Sequence, residues 1–233
     1  MGIVLKEVSK IYKSGEIETA ALKGVDLTIE DGEVLIVLGP SGSGKSTLLN
    51  VMSGLDSPST GQMYYKDIAI HELDQKGLTK FRRKYLGFIF QQYNLLQNLT
   101  VKENIEMGAA LSENSLPIDE VIEAVGLTDK SHKYPSQLSG GEQQRVAIAR
   151  SVVKNPAVLF CDEPTGALDE KTACQVLALL EKMNQLYHTT LVIITHNPSI
   201  ALMGDRVIKM NSGIVHNIYK NVDKKRVEEI KWG

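Results

Sequence analysis

Gly39-Pro40-Ser41-Gly42-Ser43-Gly44-Lys45-Ser46 satisfies every fixed position of the pattern G-x-x-x-x-G-K-[ST]. The apolar run Val34 to Leu38 leads into it, and Lys45-Ser46-Thr47-Leu48-Leu49-Asn50-Val51-Met52 reads as a helix leading out. Glycines let such a loop curl until successive backbone N–H groups face inward. The helix behind adds unpaired N–H groups and the positive end of its dipole. Together they cradle phosphate. Lys45 has the reach for β- and γ-phosphates, and the Ser46 hydroxyl is a ligand for Mg²⁺. Gly39, Pro40, Ser41, Gly42, Ser43, Gly44 and Thr47 complete the cradle. The segment predicts a bound nucleoside triphosphate.

A second stretch supports that reading. In Val158-Leu159-Phe160-Cys161-Asp162-Glu163, four apolar residues run into two carboxylates. Continuous apolar runs mark the buried strands of parallel sheets, whose C-terminal ends are where such sheets bind ligands. Asp162 there can support Mg²⁺ through water, and Glu163, one residue on, is suited to take a proton from an attacking water. Cys161 reads as a small core hydrophobe.

The rest of the chain alternates in kind. Strands are expected at Ile3 to Val8, Val25 to Ile29, Glu33 to Leu38, Gln62 to Tyr65, Ile68 to Ile70 and Gly87 to Phe90, with a helix at Leu73 to Tyr85. Between about Tyr93 and Pro135 the strand signal vanishes and two amphipathic segments, Val101 to Leu111 and Pro117 to Val125, predict a helical insert. A helix follows Gly140-Gly141, then strand Ala157 to Asp162, helix Glu170 to Tyr187, strand Thr190 to Thr195 and two short strands at Arg206 to Lys209 and Gly213 to His216. This order predicts an α/β fold with a mostly parallel core sheet, a small antiparallel β subdomain and an inserted helical subdomain. The charged segment from Asn221 to Gly233 is expected to be peripheral, with Trp232 packed against the body of the domain.

Composition narrows the classes. Lys and Arg number 26 against 28 Asp and Glu, a net charge of -2 that argues against a nucleic-acid-coating surface. The longest apolar runs are strand-length, too short for a membrane span. The start of the chain does not read as a secretory signal. Two cysteines and five scattered histidines give no metal spacing. A cytoplasmic chain is expected, which makes the glycosylation triplet Asn98-Leu99-Thr100 a chance match.

At Leu138-Ser139-Gly140-Gly141-Glu142-Gln143-Gln144-Arg145 the sequence resembles the signature motif of the ATP-binding cassette (ABC) ATPases, which are P-loop NTPases. Other positions resemble that family in order: Tyr12 the aromatic that stacks on adenine, Gln91 the glutamine at the hinge of the helical insert, Ala167-Leu168-Asp169 the loop coupling two sites, and His196 the switch histidine. The resemblance runs to about Ile218. It implies an ATPase domain over 1–220, with core segments 1–91 and 155–220, a helical and signature subdomain at 92–154, and a tail at 221–233. It further implies an ATP-dependent head-to-tail homodimer holding two Mg-ATP. Lys45, Ser46, Gln91, Asp162, Glu163 and His196 would act in cis, and Ser139, Gly140 and Gly141 in trans. Glu163 would be the general base; Ser46, Gln91 and Asp162 would serve the metal; Tyr12 and Asp169 would line the nucleotide site.

Within the family the chain is most similar to MacB/LolD-type cassettes, through Gly87-Phe88-Ile89-Phe90-Gln91-Gln92-Tyr93-Asn94-Leu95-Leu96 and Pro164-Thr165-Gly166-Ala167-Leu168-Asp169. It departs in a shorter insert between Asn104 and Leu127 and in Asn197 where that group has Asp. The likeness implies a separate membrane permease of FtsX/MacB type at the inner face of the cell membrane, docked near Phe90 to Leu96 and Val101 to Met107. The output is export or, alternatively, FtsE-like force transmission or a soluble scaffold; no nucleic acid partner is implied.

Overall fold

The computed structural model describes residues 2–230. The chain opens with a hairpin, β1 (Ile3–Ser14) and β2 (Ile17–Ile29), then β3 (Val34–Leu38) and α1 (Lys45–Met52). Strands β4 (Thr60–Tyr65) and β5 (Ile68–Ala69), helix α2 (Gln75–Tyr85) and β6 (Leu86–Ile89) follow. The helical stretch holds α3 (Val101–Ala109), α4 (Ile118–Ala124) and α5 (Gly140–Val152). The chain then alternates β7 (Val158–Asp162), α6 (Glu170–Tyr187) and β8 (Thr190–Thr195) before the hairpin β9 (Arg206–Asn211) and β10 (Ile214–Lys220).

Two sheets result. One is antiparallel, ordered β2-β1-β4-β5; the other is six-stranded, β10-β9-β3-β8-β7-β6. In the second, β9, β3, β8, β7 and β6 run parallel and only β10 is antiparallel, at the edge. The α/β fold with its antiparallel companion sheet is the one the sequence predicts.

The continuous apolar runs have a physical cause. Alternate residues of a strand face opposite sides of a sheet, so a strand covered on both sides must be apolar throughout. Val34, Ile36, Leu159, Cys161, Leu191 and Ile193 enter one core, packed with α5 and α6. Leu35, Val37, Val158, Phe160, Val192 and Ile194 enter the other, packed with α1 and the antiparallel sheet. Burying each such side chain stabilises the fold by about 1.5–3 kcal/mol.

Several expectations need correction. The first two strands extend to Ser14 and back from Ile17, well beyond Val8 and Val25, because residues 9–24 pair with each other through backbone and show no apolar face to the eye. The register shifts between Leu5 and Ile11 further blur any alternation. Ile70 leaves the strand for a 3₁₀ turn over Ile70–Glu72. The last strand runs on to Lys220.

The final segment is not peripheral up to residue 230. Asn221 Nδ2 donates to the carbonyls of Ala201 and Gly204 at 2.6 and 2.7 Å, and Lys225 N donates to Leu202 O at 2.9 Å. Val227 and Ile230 are buried in the core on the α6 side. Two buried apolar residues, Val227 and Ile230, in an otherwise mostly charged stretch are enough to dock the segment. Trp232 lies outside the described residues. Asn98-Leu99-Thr100 has a structural use: Thr100 caps α3, its hydroxyl accepting from Glu103 N while Glu103 accepts from Thr100 N.

Candidate functional site

Four parallel strands deliver their C-terminal ends to one edge. β3 runs into the glycine loop, β6 ends two residues before Gln91, β7 ends at Asp162 and β8 ends one residue before His196. They open on a cleft of about 860 Å³ lined by Ser41, Gly42, Gly44, Lys45, Ser46, Thr47, Gln91, Glu163 and His196 among others.

The loop keeps its shape through close backbone approach. Gly44 has φ 98°, and a Cβ there would stand 2.5 Å from Ala21 O. Gly213 N donates to Ser43 O at 3.0 Å, and Gly213 O accepts from Lys23 N at 2.9 Å. Gly39 and Pro40 turn their carbonyls to the buried Lys45, whose Nζ donates to each at 2.8 Å. This centres the ammonium over the loop.

The helix start is ready for an anion. α2, α3, α5 and α6 are each capped by a side chain (Asp74, Thr100, Ser139 and Asp169), whereas α1 has no capping side chain and no acidic residue in its first turn. Its first N–H groups therefore await an outside acceptor. The Ser43 hydroxyl is buried in the same loop without a hydrogen-bond partner.

The acidic end is shaped by burial and charge. Burial and the neighbouring Glu163 raise the Asp162 carboxyl above its ordinary range, opposed by a hydrogen bond with Ser46 and the charge of Lys45. Hydroxyl, carboxylate and the Gln91 amide are hard oxygen donors with no thiolate or imidazole among them, a set that suits Mg²⁺. Glu163 sits at φ 47°, unusual for a residue with a Cβ, and its N donates to Ile194 O at 3.0 Å. Such a turn lifts its side chain out of the strand direction. Glu163 Oε1 lies 2.9 Å from His196 Nδ1. A Cβ on Gly166 would stand 3.0 Å from Gln91 Nε2, so that glycine lets the glutamine lie close over the turn.

Other expected residues lie apart from the cleft lining. Tyr12 donates its hydroxyl to Asp56 at 2.9 Å and also meets the Thr47 side chain; burial and then the Asp56 contact raise its phenol. Asp169 caps α6, accepting from Thr172 N and Oγ1 at 3.0 and 2.7 Å, and these bonds hold its carboxyl low. Ser139 caps α5, with Glu142 accepting from Ser139 N at 2.8 Å and pairing with Lys130. Gly141 is buried against Thr172. Ser139, Gly140 and Gly141 do not line the Lys45 cleft of the same chain.

Thr19, Ala20, Ala21 and Lys23 of β2, and Ser212-Gly213 between β9 and β10, also line the cleft and carry no sequence signal for it. Gly213, expected to open the last strand, instead lies with Ser212 in the turn before β10, which begins at Ile214.

Fold and site together define a P-loop nucleotide-binding cassette. The family profile described as ABC transporter matches residues 22–166. A putative ABC transporter ATP-binding protein of Mycoplasma genitalium is 48% identical over 233 residues, 99% of this chain and 50% of the relative. The macrolide export ATP-binding/permease protein MacB of Hyphomonas neptunium is 44% identical, over 91% of this chain and 33% of that protein. The chain thus spans half the length of one curated relative and a third of the other. The dimeric, ADP- and Pi-bound structure of the cassette MJ0796 of Methanocaldococcus jannaschii superposes with a TM-score of 0.84 at 41% identity, covering 94% of this chain and 98% of that one. The chain belongs to the ABC transporter family. It is an ABC-type ATPase cassette.

Proposed function

We propose that this cassette hydrolyses ATP as a head-to-tail homodimer and drives a separate membrane permease of FtsX/MacB type, with export as the output. The reading rests on one observation above the others: Lys45, Ser46, Gln91, Glu163 and His196 converge on a single cleft beside an uncapped helix start.

Lys45 and the first N–H groups of α1 bind the β- and γ-phosphates. Ser46 and Asp162, with Gln91 opposite, would hold Mg²⁺, which supplies charge neutralisation on those phosphates. Glu163 takes the proton of a water as its oxygen attacks the γ-phosphorus and the bond to the β–γ bridging oxygen breaks. His196 holds the Glu163 carboxylate from its far side and contacts the γ-phosphate. The signature start at Ser139, Gly140 and Gly141 faces the nucleotide of the partner copy, which is why these residues lie away from their own chain's cleft. Tyr12 stacks on the base and Asp169 couples the two sites.

The docking side is a second hollow, of about 220 Å³, lined by Phe88, Phe90, Tyr93, Asn94, Leu111, Arg150 and Lys154 among others. Leu96, Met107 and Leu111 are exposed nearby on the helical stretch. No helix among the described residues is long and apolar enough to cross a membrane. MacB of Hyphomonas neptunium, as its name states, unites ATP-binding and permease parts.

Affinity purification of the tagged chain from gently solubilised native membranes, with mass spectrometry of what accompanies it, tests this. A polytopic membrane protein is the expected companion. Recovery only from the soluble fraction with soluble companions overturns the permease reading.

A further inference from the structure

We propose that Asp56 is a positioning residue for the nucleobase, holding the Tyr12 ring in place and tying it to the helix that carries the phosphate loop. This rests on the reading of Tyr12 as the base-stacking aromatic. It adds a residue that lies outside every motif of the sequence and outside the cleft lining.

The carboxylate is fully used. Oδ1 accepts from Lys10 Nζ at 2.6 Å and from Ser57 N at 2.8 Å, while Oδ2 accepts from the Tyr12 hydroxyl at 2.9 Å. Lys10 Nζ also donates to Ser57 O at 2.8 Å and stands 5.0 Å from the Tyr12 ring centroid. One face of the ring is therefore covered by a cation, held there by the carboxylate that holds the phenol. A base stacks on the face opposite. The Lys10 side chain is 13% exposed, too covered to be a freely solvated lysine. Burial opposes ionisation of Asp56, but the bonds from Lys10 and Tyr12 and the charge of Lys10 outweigh it and keep the carboxyl low.

The mount is the end of α1. Asp56 N and Leu55 N both donate to Asn50 O, at 3.0 and 2.9 Å, so the residue is fixed to the helix whose first turn meets phosphate. The same turn is stitched to β1 by Ile11 N donating to Ser59 Oγ at 2.9 Å and Ser59 N to Ser9 O at 2.8 Å. Thr47, on the first turn of α1, meets the phenol directly. The spacing between base platform and phosphate cradle is thus set by one helix, with Asp56 at its far end. A free surface tyrosine would lose side-chain freedom on stacking; this one has already lost it, which favours binding.

The test compares ATP with inorganic tripolyphosphate, which has the phosphates and no base. Asp56→Ala is expected to weaken ATP binding and raise KM about tenfold, within the range that base–aromatic stacking supplies. Tripolyphosphate affinity and kcat are expected to stay within about twofold. Tyr12→Phe keeps the ring and deletes the hydroxyl's contacts with Asp56 and Thr47; it is expected to weaken ATP selectively in the same direction, and to add little to Asp56→Ala. Equal loss of ATP and tripolyphosphate affinity in Asp56→Ala would mean a general fold defect and overturns the proposal. So does ATP affinity unchanged in Asp56→Ala and Tyr12→Phe while Tyr12→Ala weakens it. If Tyr12→Ala itself leaves ATP affinity unchanged, the stacking role fails first, and the proposal fails with it.

Discussion

His196 Nδ1 and Glu163 Oε1 are 2.9 Å apart, joined across the ends of two adjacent parallel strands. The histidine is 69% exposed and the glutamate 19%, so the pair has one foot in solvent and one in the cleft. An exposed pair of this kind is worth about 0–1 kcal/mol to folding. Its geometry, with a carboxylate held at φ 47° and aimed by an imidazole, suits orientation of a reacting group better than stabilisation.

Replacing the carboxylate tests the base. Glu163→Gln is expected to bind ATP with near wild-type affinity and to lose roughly 10²–10⁴ in turnover. ATP should then hold the chain as a dimer in size-exclusion chromatography. Turnover at the wild-type rate would remove Glu163 from the role of base.

His196→Ala separates the two partners. Turnover should fall by roughly 10²-fold or more, with a melting temperature within a degree or two of wild type because the ring is largely exposed. A large drop in stability, with kcat retained by the surviving folded fraction, would make the histidine structural.

Gly141→Ala places a Cβ 2.1 Å from Thr172 Cγ2. Helix propensity favours alanine by up to about 1 kcal/mol. The clash is with a β-branched side chain pinned by its bond to Asp169, and overpacking of this kind costs about 1–3 kcal/mol. The clash should win, lowering Tm by several degrees in calorimetry. Adding Thr172→Ser removes the offending methyl and keeps the hydroxyl, so the double variant should recover. No recovery would place the cause elsewhere.

Lys154 gives a pH signature. Burial first, and then the charge of Arg83, lower its ammonium to about 8 from an ordinary 10.5. Between those values the unfolded chain binds more protons than the folded one, so stability contributed by this group rises as pH increases from about 8 towards 10.5. Urea titrations at pH 7.5 and 9.5 should show wild type gaining on Lys154→Met across the interval. A constant difference would mean that the amine is solvated.

Much of this is legible in the sequence. Helix α6 and strand β8 have the limits expected from their patterns, since Asp169 caps one and an unbroken apolar run defines the other. The loop and the two carboxylates are legible because each sits at the end of a doubly buried strand, where burial forces a recognisable run; His196 is legible only through the family resemblance. Other parts of the fold lack such forcing. The hairpin β1–β2 beyond Val8 is held by backbone pairing, and its side chains are largely exposed. Ala21 and Gly213 meet the loop through main-chain atoms, which leave no residue-type trace. Asp56 belongs to no motif; its three partners come from positions 10, 12 and 57.

The contact between Gly213 N and Ser43 O bears on how far the chain can be shortened. The family match ends at residue 166, and a fragment stopping there would keep the loop and both carboxylates. It would lose β8 and β9, the parallel neighbours of β3, together with the turn that braces the loop from behind. An apolar strand stripped of both neighbours is an open edge prone to self-association. The smallest autonomous unit therefore extends past the end of the family match, through the β9–β10 hairpin, and proteolytic trimming that enters that hairpin should release a sticky, nucleotide-blind remnant.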